Sequence, residues 1–173
     1  QGPLIAEAIR RVRAVTRQGY INMNTNAGLT AQIKEIVDAG LDLMRVSTIS
    51  AIGEHYDAYY RPRGYTLRNV EESLKYAADR GVYTSINYLV FPGVTDREEE
   101  IEAMIGFARR TGLKLIQMRN LNIDPDDYLA LVPKARGETL GMARMLDIFR
   151  EELPGVAIGS YTHVPPTPPR CAR

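Results

Sequence analysis

The chain has 173 residues, 45% of them hydrophobic, and 22 Lys plus Arg stand against 21 Asp plus Glu for a formal charge of +1. That length favours one domain with enough apolar material for a core, and the balanced charge argues against a nucleic-acid or polybasic membrane surface as the main role. The single cysteine, Cys171, excludes an internal disulfide framework and a self-contained zinc-ribbon or iron–sulfur site, and no apolar run approaches the ~20 residues that span a bilayer.

In chain order, the first element is a helix. Leu4, Ile5, Ala8, Ile9, Val12 and Val15 recur at helical spacing, with Pro3 in the first turn. A chain that opens inside its own helix with Gln1 reads as part of a longer polypeptide. No basic-then-apolar leader precedes it, so a cytoplasmic location is the expectation. Five times a helical stretch then stops at a glycine (Gly19, Gly40, Gly81, Gly112, Gly155) and an apolar run begins. The runs at 20–25, 41–47, 82–91, 113–118 and 156–160 are rich in β-branched and aromatic residues and read as strands, the last one weak. Helix starts are marked by Thr30 and Thr66, and by Thr95 with Glu98, which spell a capping box, with Asp96, Glu98, Glu99 and Glu100 near the positive helix end. Four prolines between Pro165 and Pro169 form an extended tail.

Alternating strands and helices with short joints mean βαβ crossovers and a parallel sheet. A closed eightfold barrel needs about 250 residues. The fold class is therefore α/β: an open parallel sheet or a partial (β/α) barrel, a truncated TIM-like unit of four to five strands flanked by helices. Residues 1–125 form the β/α core, 126–164 an extension with a helix and a last strand, and 165–173 the tail.

Polar residues gather at one end of every strand. The strands finish in Asn22-Met23-Asn24-Thr25-Asn26, in Ser47-Thr48-Ile49-Ser50, in Asn87 and Tyr88 before Phe91-Pro92-Gly93, in Gln117-Met118-Arg119-Asn120-Leu121-Asn122-Ile123-Asp124, and in Ser160-Tyr161-Thr162-His163. Ligands of parallel α/β folds bind at the carboxyl ends of strands. A period of two puts Asn22, Asn24 and Asn26 on one face, and aligns Ser85 with Asn87 and Gln117 with Arg119. Amides, hydroxyls and an arginine suit a polar ligand with a carboxylate, a ribose and an amine.

Other chemistry is thin. There is no GxGxxG after a strand, no GxxxxGK[ST] and no GxSxG. His55 and His163 are the only histidines. His55, between Glu54 and Asp57, is expected to be a solvated surface group. His163 either lines the site or lies in a loop. The carboxylates at 96–100 read as a helix start rather than a metal site. Tyr56, Tyr59, Tyr60 and Tyr65 read as packing, with a lid as the other reading. Asp124, Asp126, Asp127 and Tyr128 form either a substrate-contacting loop or a helix start.

The ordered motifs resemble the C-terminal two-thirds of a radical S-adenosylmethionine (SAM) core domain. Asn24-Thr25-Asn26 is similar to that family's third-strand TNG turn, with Ala27 in place of glycine. Arg45-Val46-Ser47-Thr48-Ile49-Ser50 resembles its fourth-strand RVSLDS pattern. Asn87 through Asp96 resembles the fifth strand and its loop, and Leu115 through Leu121 the sixth; the likeness spans about residues 4–125. It implies a partial (β/α)6 barrel, SAM bound across the strand ends, and a 4Fe–4S cluster that cleaves SAM to a 5′-deoxyadenosyl radical. It places Asn24 and Asn26 near the methionyl group, Ser47 on the carboxylate or ribose, Asn87 on the ribose, and Gln117 and Arg119 along the adenine or substrate side. Backbone groups at 118–120 would meet the adenine edge. Tyr88, Asn120 and Asp124 become substrate-side candidates. The CxxxCxxC loop, the first two strands and the Gly-Gly-Glu motif are absent from this sequence, and one thiolate cannot hold four irons. The chain alone is therefore expected to be inactive in radical chemistry.

Two alternatives compete. An aldolase-like or methyl-transferring barrel needs a Schiff-base lysine or a metal set, and none of Lys34, Lys75, Lys114 and Lys134 sits at a strand's carboxyl end. A degenerate, non-catalytic half-barrel would dock a partner through the tyrosines or the 126–150 extension. No nucleic-acid or membrane partner is expected. An exposed sheet edge at 20–25 would favour a homodimer.

Overall fold

The computed structural model describes residues 2–134 and 136–159. Five strands, β1 (Asn22–Thr25), β2 (Leu43–Thr48), β3 (Tyr83–Val90), β4 (Leu115–Asn120) and β5 (Ala157–Gly159), form one sheet in the order β1-β2-β3-β4-β5. Every pairing is parallel. The α/β class and the five-stranded parallel sheet agree with the sequence reading. The end of the fifth predicted strand, His163, the proline-rich tail and Cys171 lie outside the described residues.

Among the described residues seven helices accompany the strands: α1 (Gly2–Val15), α2 (Thr30–Asp38), α3 (Gly53–Tyr60), α4 (Leu67–Asp79), α5 (Glu98–Thr111), α6 (Pro125–Leu131) and α7 (Met142–Glu152). None among the described residues is long and apolar enough to cross a membrane. Parallel neighbours require crossovers, and crossovers share one hand, so sequential strand order stacks the helices on one face. Accordingly α1, α2, α4, α5 and α7 touch in that order as a single layer. The strand residues turned toward it, including Met44, Val46, Ile86, Tyr88 and Ile116, are buried in the main core. The alternate residues of β2 are only half-buried. Among the described residues no helix layer covers that second face.

A smaller apolar cluster sits over the carboxyl ends of the strands, where Ile49, Val94, Tyr128 and Val132 pack with Tyr59, Tyr60 and Phe91. The rings of Phe91 and Tyr128 lie 4.6 Å apart and those of Tyr59 and Tyr128 6.2 Å apart. The tyrosines of α3 thus serve packing.

Several local expectations are corrected. In α1 the apolar stripe is largely outside: Leu4, Val12 and Val15 are exposed, while Ala6 and Ile9 are buried. Polar contacts supplement the packing of Ala6 and Ile9 in holding α1. The carboxylate of Asp42, itself buried, accepts from Arg13 of α1 and from the Ile21 N–H at 2.7 Å, and Arg13 Nε also donates to the Gly40 carbonyl at 3.1 Å. The capping box sits at α4, where the Thr66 N–H donates to Asn69 Oδ1 at 2.9 Å. It does not form at Thr95. That hydroxyl donates to the Phe91 carbonyl and accepts from the Phe91 N–H, Asp96 accepts from the Gly93 N–H, and α5 begins after Arg97. Gly112 caps α5 with φ of 66°, as its position after the helix suggests, whereas Gly155 has no positive φ. Ala27 occupies the left-handed region with φ of 55°, a conformation easier for glycine.

The largest correction concerns His55, expected to be solvated: it is buried, and so is Glu100, which stands in the first turn of α5 as its helix-start reading has it. One Glu100 oxygen accepts from the Ala51 N–H at 2.9 Å and from the Tyr88 hydroxyl at 3.0 Å, and the other accepts from the Ser50 hydroxyl. His55 Nδ1 lies 3.9 Å from Glu100 Oε2. Burial pushes the Glu100 carboxyl up to about 7, against the opposing pull of its three donors, and burial lowers the His55 imidazole. One carboxylate therefore ties α5, the loop after β2, and β3 together.

Two tests follow in the isolated chain. Asp42→Ala leaves Arg13 and the Ile21 N–H unpaired and is expected to cost about 3 kcal/mol in urea unfolding. Glu100→Ala, which strands three donors, is expected to cost about 3 kcal/mol, and Glu100→Gln less. Between pH ~4.5 and ~7 the folded state holds a proton on Glu100 that the unfolded state has released, so this group makes stability fall as pH rises. His55 acts in the opposite sense below its ordinary value, so the readout is the difference between wild type and Glu100→Gln across that window. Parallel pH profiles for the two proteins would show that Glu100 does not titrate in the fold.

Candidate functional site

The uncovered face of the sheet carries the polar residues. Register places Ser47 of β2 opposite Asn87 of β3, Asn87 opposite Gln117 of β4, and Gln117 opposite Gly159 of β5. Ser47, Asn87 and Gln117 therefore form one row across three strands, near their carboxyl ends. One step toward the strand starts, Asn24, Arg45 and Ser85 form a second row. One step beyond the first row, Leu89 pairs with Arg119. Five of the six residues expected to bind a cofactor (Asn24, Ser47, Asn87, Gln117 and Arg119) thus share one face of one sheet.

Asn26, the sixth, lies in the turn after β1, where its Oδ1 accepts from the Gly28 N–H at 3.2 Å. That turn is braced by Thr25 Oγ1, which accepts from the Ala27 N–H at 3.0 Å, and by the Ser73 hydroxyl, which donates to the Ala27 carbonyl at 2.7 Å. The substrate-side candidates separate from the row. Tyr88 points into the core, bound to Glu100, and burial with that carboxylate raises its phenol. Alternation along β4 turns Asn120 to the same side as Tyr88. Asp124 caps α6, accepting from the Asp126 N–H at 2.9 Å, so the acidic loop is a helix start.

Two buried polar atoms on the uncovered face lack a hydrogen-bond partner, Asn87 Oδ1 and Arg45 Nε. Buried polar groups are ordinarily paired, and an unmet acceptor beside an unmet donor fits a ligand carrying both kinds of group. Arg45 was not among the residues singled out for binding. The signal for it was present: it has the same strand parity as Ser47. Ligands for a metal cluster are a different matter. The described residues contain no cysteine, and among them no group of three His, Cys, Asp or Glu residues is arranged to hold a metal ion.

Comparison with known proteins agrees with this geometry. The model of the Radical SAM superfamily matches residues 2–107. The Chlorobium luteolum protein named "Probable dual-specificity RNA methyltransferase RlmN" is 33% identical over 103 residues, covering 57% of this chain and 28% of that protein. The crystal structure of a radical SAM methyltransferase from Sphaerobacter thermophilus superposes with a TM-score of 0.60 at 19% identity, over 83% of this chain and 41% of that one. A domain of a pyruvate-formate lyase-activating enzyme from Bacteroides vulgatus gives a TM-score of 0.63 at 10% identity, covering 91% of this chain and 89% of that domain. At such identities the structural likeness shows the fold alone. The chain spans well under half of the two methyltransferases. With the family model covering more than half of its residues and the five-stranded parallel half-barrel in place, the chain belongs to the radical SAM superfamily.

Proposed function

We propose that this chain supplies the SAM-binding face of a radical SAM enzyme. The observation that carries the reading is the row Ser47–Asn87–Gln117, with the buried Asn87 Oδ1 lacking a partner on the uncovered face. SAM offers amine and hydroxyl donors together with carboxylate, ribose and adenine acceptors, which is what amide and hydroxyl side chains match. Asn87 accepts from a ribose hydroxyl, and Ser47 donates to the ribose or the methionyl carboxylate. Gln117 and Arg119 line the adenine or substrate side. Asn24 and Asn26 approach the methionyl group from the edge strand. When bound in this family, SAM is the source of the hydrogen-abstracting species.

The residues present do not fit a 4Fe–4S cluster, whose thiolates must come from elsewhere in a longer polypeptide. The chain alone is therefore inactive in radical chemistry. The outer side of β1 is unpaired among the described residues and supports self-association of the isolated chain.

The test uses the full-length protein, purified and reconstituted anaerobically. It is expected to bind about four irons per chain and to bind SAM in equilibrium dialysis. Asn87→Ala removes one hydrogen bond and should weaken SAM about tenfold at unchanged iron content. Absence of iron, or SAM binding unaffected by Asn87→Ala, would overturn the reading.

A further inference from the structure

Glu100 and His55 meet inside the fold with one bond unmade between them. His55 Nδ1 is buried and has no hydrogen-bond partner, and Glu100 Oε2 stands 3.9 Å from it. That gap is about 1 Å longer than a hydrogen bond. An atom closed to solvent has to find its partner within the core. Among the described residues Glu100 is the only acidic group in ion-pair range of His55. Glu100 is also faced by the Tyr88 phenol of β3, by Tyr128 of α6 and by its own neighbour Glu99, and His55 by Glu54 and Glu99. Lys134 and Arg136 join His55, Glu54 and Glu99 around an open polar pocket, but neither pairs with Glu100.

Two arrangements fill the gap. An ion pair of carboxylate and imidazolium buries two charges, and burial here works against both: it raises the Glu100 carboxyl and lowers the His55 imidazole. A neutral carboxyl whose O–H donates to a bare Nδ1 buries no charge and satisfies the orphaned atom.

The bond matters to the ligand face because of what Glu100 holds. Its oxygens accept from the Ser50 hydroxyl and the Ala51 N–H, just past Ser47, and from the Tyr88 hydroxyl, next to Asn87. An ionised Glu100 favours any opening of the loop after β2 that lets water reach the charge. The end of β2 loosens with that loop, and Ser47 and Asn87 lose their fixed spacing.

We propose that Glu100 and His55 are a positioning pair for the ligand face: a neutral Glu100 carboxyl donates a hydrogen bond to His55 Nδ1, and loss of that proton to water releases the loop after β2 and weakens ligand binding. This deepens the SAM-face reading and rests on it for the identity of the ligand.

The experiment uses the full-length reconstituted protein between pH ~6 and pH ~8.5. Infrared difference spectra follow the C=O band of a protonated carboxyl, and equilibrium dialysis follows SAM, in wild type, Glu100→Gln, Tyr88→Phe and His55→Leu. The SAM amine titrates in the same range, so each profile is read against Glu100→Gln, whose amide keeps a donor for Nδ1 at every pH. Wild type is expected to show a carboxyl band that Glu100→Gln lacks and that disappears as pH rises. Its SAM affinity falls about fivefold more than that of Glu100→Gln. Tyr88→Phe removes a donor that favours the carboxylate and moves both midpoints to higher pH, which a purely structural role does not do. In His55→Leu the band moves to higher frequency, because the O–H has lost its acceptor; an unmoved band overturns the pairing. Should Glu100→Gln not fold, the shift between wild type and Tyr88→Phe decides alone. Absence of a carboxyl band assignable to Glu100, or SAM profiles that run parallel in wild type, Glu100→Gln and Tyr88→Phe, overturns the proposal and leaves the SAM-face reading standing. A titrating band in a wild type that binds no SAM at any pH overturns that reading and keeps the carboxyl–imidazole bond.

Discussion

Parallel pairing in strict chain order is the constraint on which the rest of the structure depends. A parallel neighbour is reached only by a crossover, and crossovers of one hand stack their helices on a single face. The period of two along each strand then sorts the side chains. Val46, Ile86 and Ile116 go to the helix layer, and Ser47, Asn87 and Gln117 go to the other side. A slip of one residue would invert the sets, trading buried Val and Ile for buried amides. At about 25 cal/mol per Å² of apolar surface, that inversion would cost several kcal/mol per strand. The apolar half of the alternation thus fixes where the polar half stands.

Glu100 adds a second restraint, at the end of the sheet where the row lies. It reaches from α5 to Ser50 and Ala51, just beyond Ser47, and to Tyr88, the neighbour of Asn87 on β3. Two of the three residues in the row therefore adjoin groups held by a single buried carboxylate. His55 closes the cluster at 3.9 Å, its charged form disfavoured by burial. The tie stays on the helix side and puts no negative charge on the uncovered face.

What the sequence made legible was whatever depends on local pattern. Runs of β-branched and aromatic residues located all five strands, and parity aligned Gln117 with Arg119 and Ser85 with Asn87 within theirs; the register of the sheet brings these onto one face with Asn24 and Ser47. What it hid depends on distant partners. His55 looks like a surface residue between Glu54 and Asp57, and the acidic run gives no sign that Glu100 alone turns inward to the loop after β2. Thr95 and Glu98 spell a capping box, but the Thr95 hydroxyl finds the Phe91 backbone first. Tyr88 sits among the polar residues at the end of β3, yet its parity is that of the core. Arg45 belongs to the motif at the end of β2, but it stands two residues before the polar strand end, and only the register shows it beside Asn24 and Ser85.

The balanced net charge conceals a local imbalance. Averaged over the chain, Arg and Lys nearly equal Asp and Glu, but the uncovered face has two arginines and no strand carboxylate facing them. Ion pairing elsewhere is mainly a matter of the helix layer and its connections, where Lys34 meets Glu72 and Arg80 meets Asp38. Those exposed pairs are screened and contribute little to stability. A half-buried cation without a carboxylate partner is different, because its field is less screened. In the function proposed above, binding and orientation fall to this half of the barrel, and the cluster thiolates, which the described residues lack, fall to another segment.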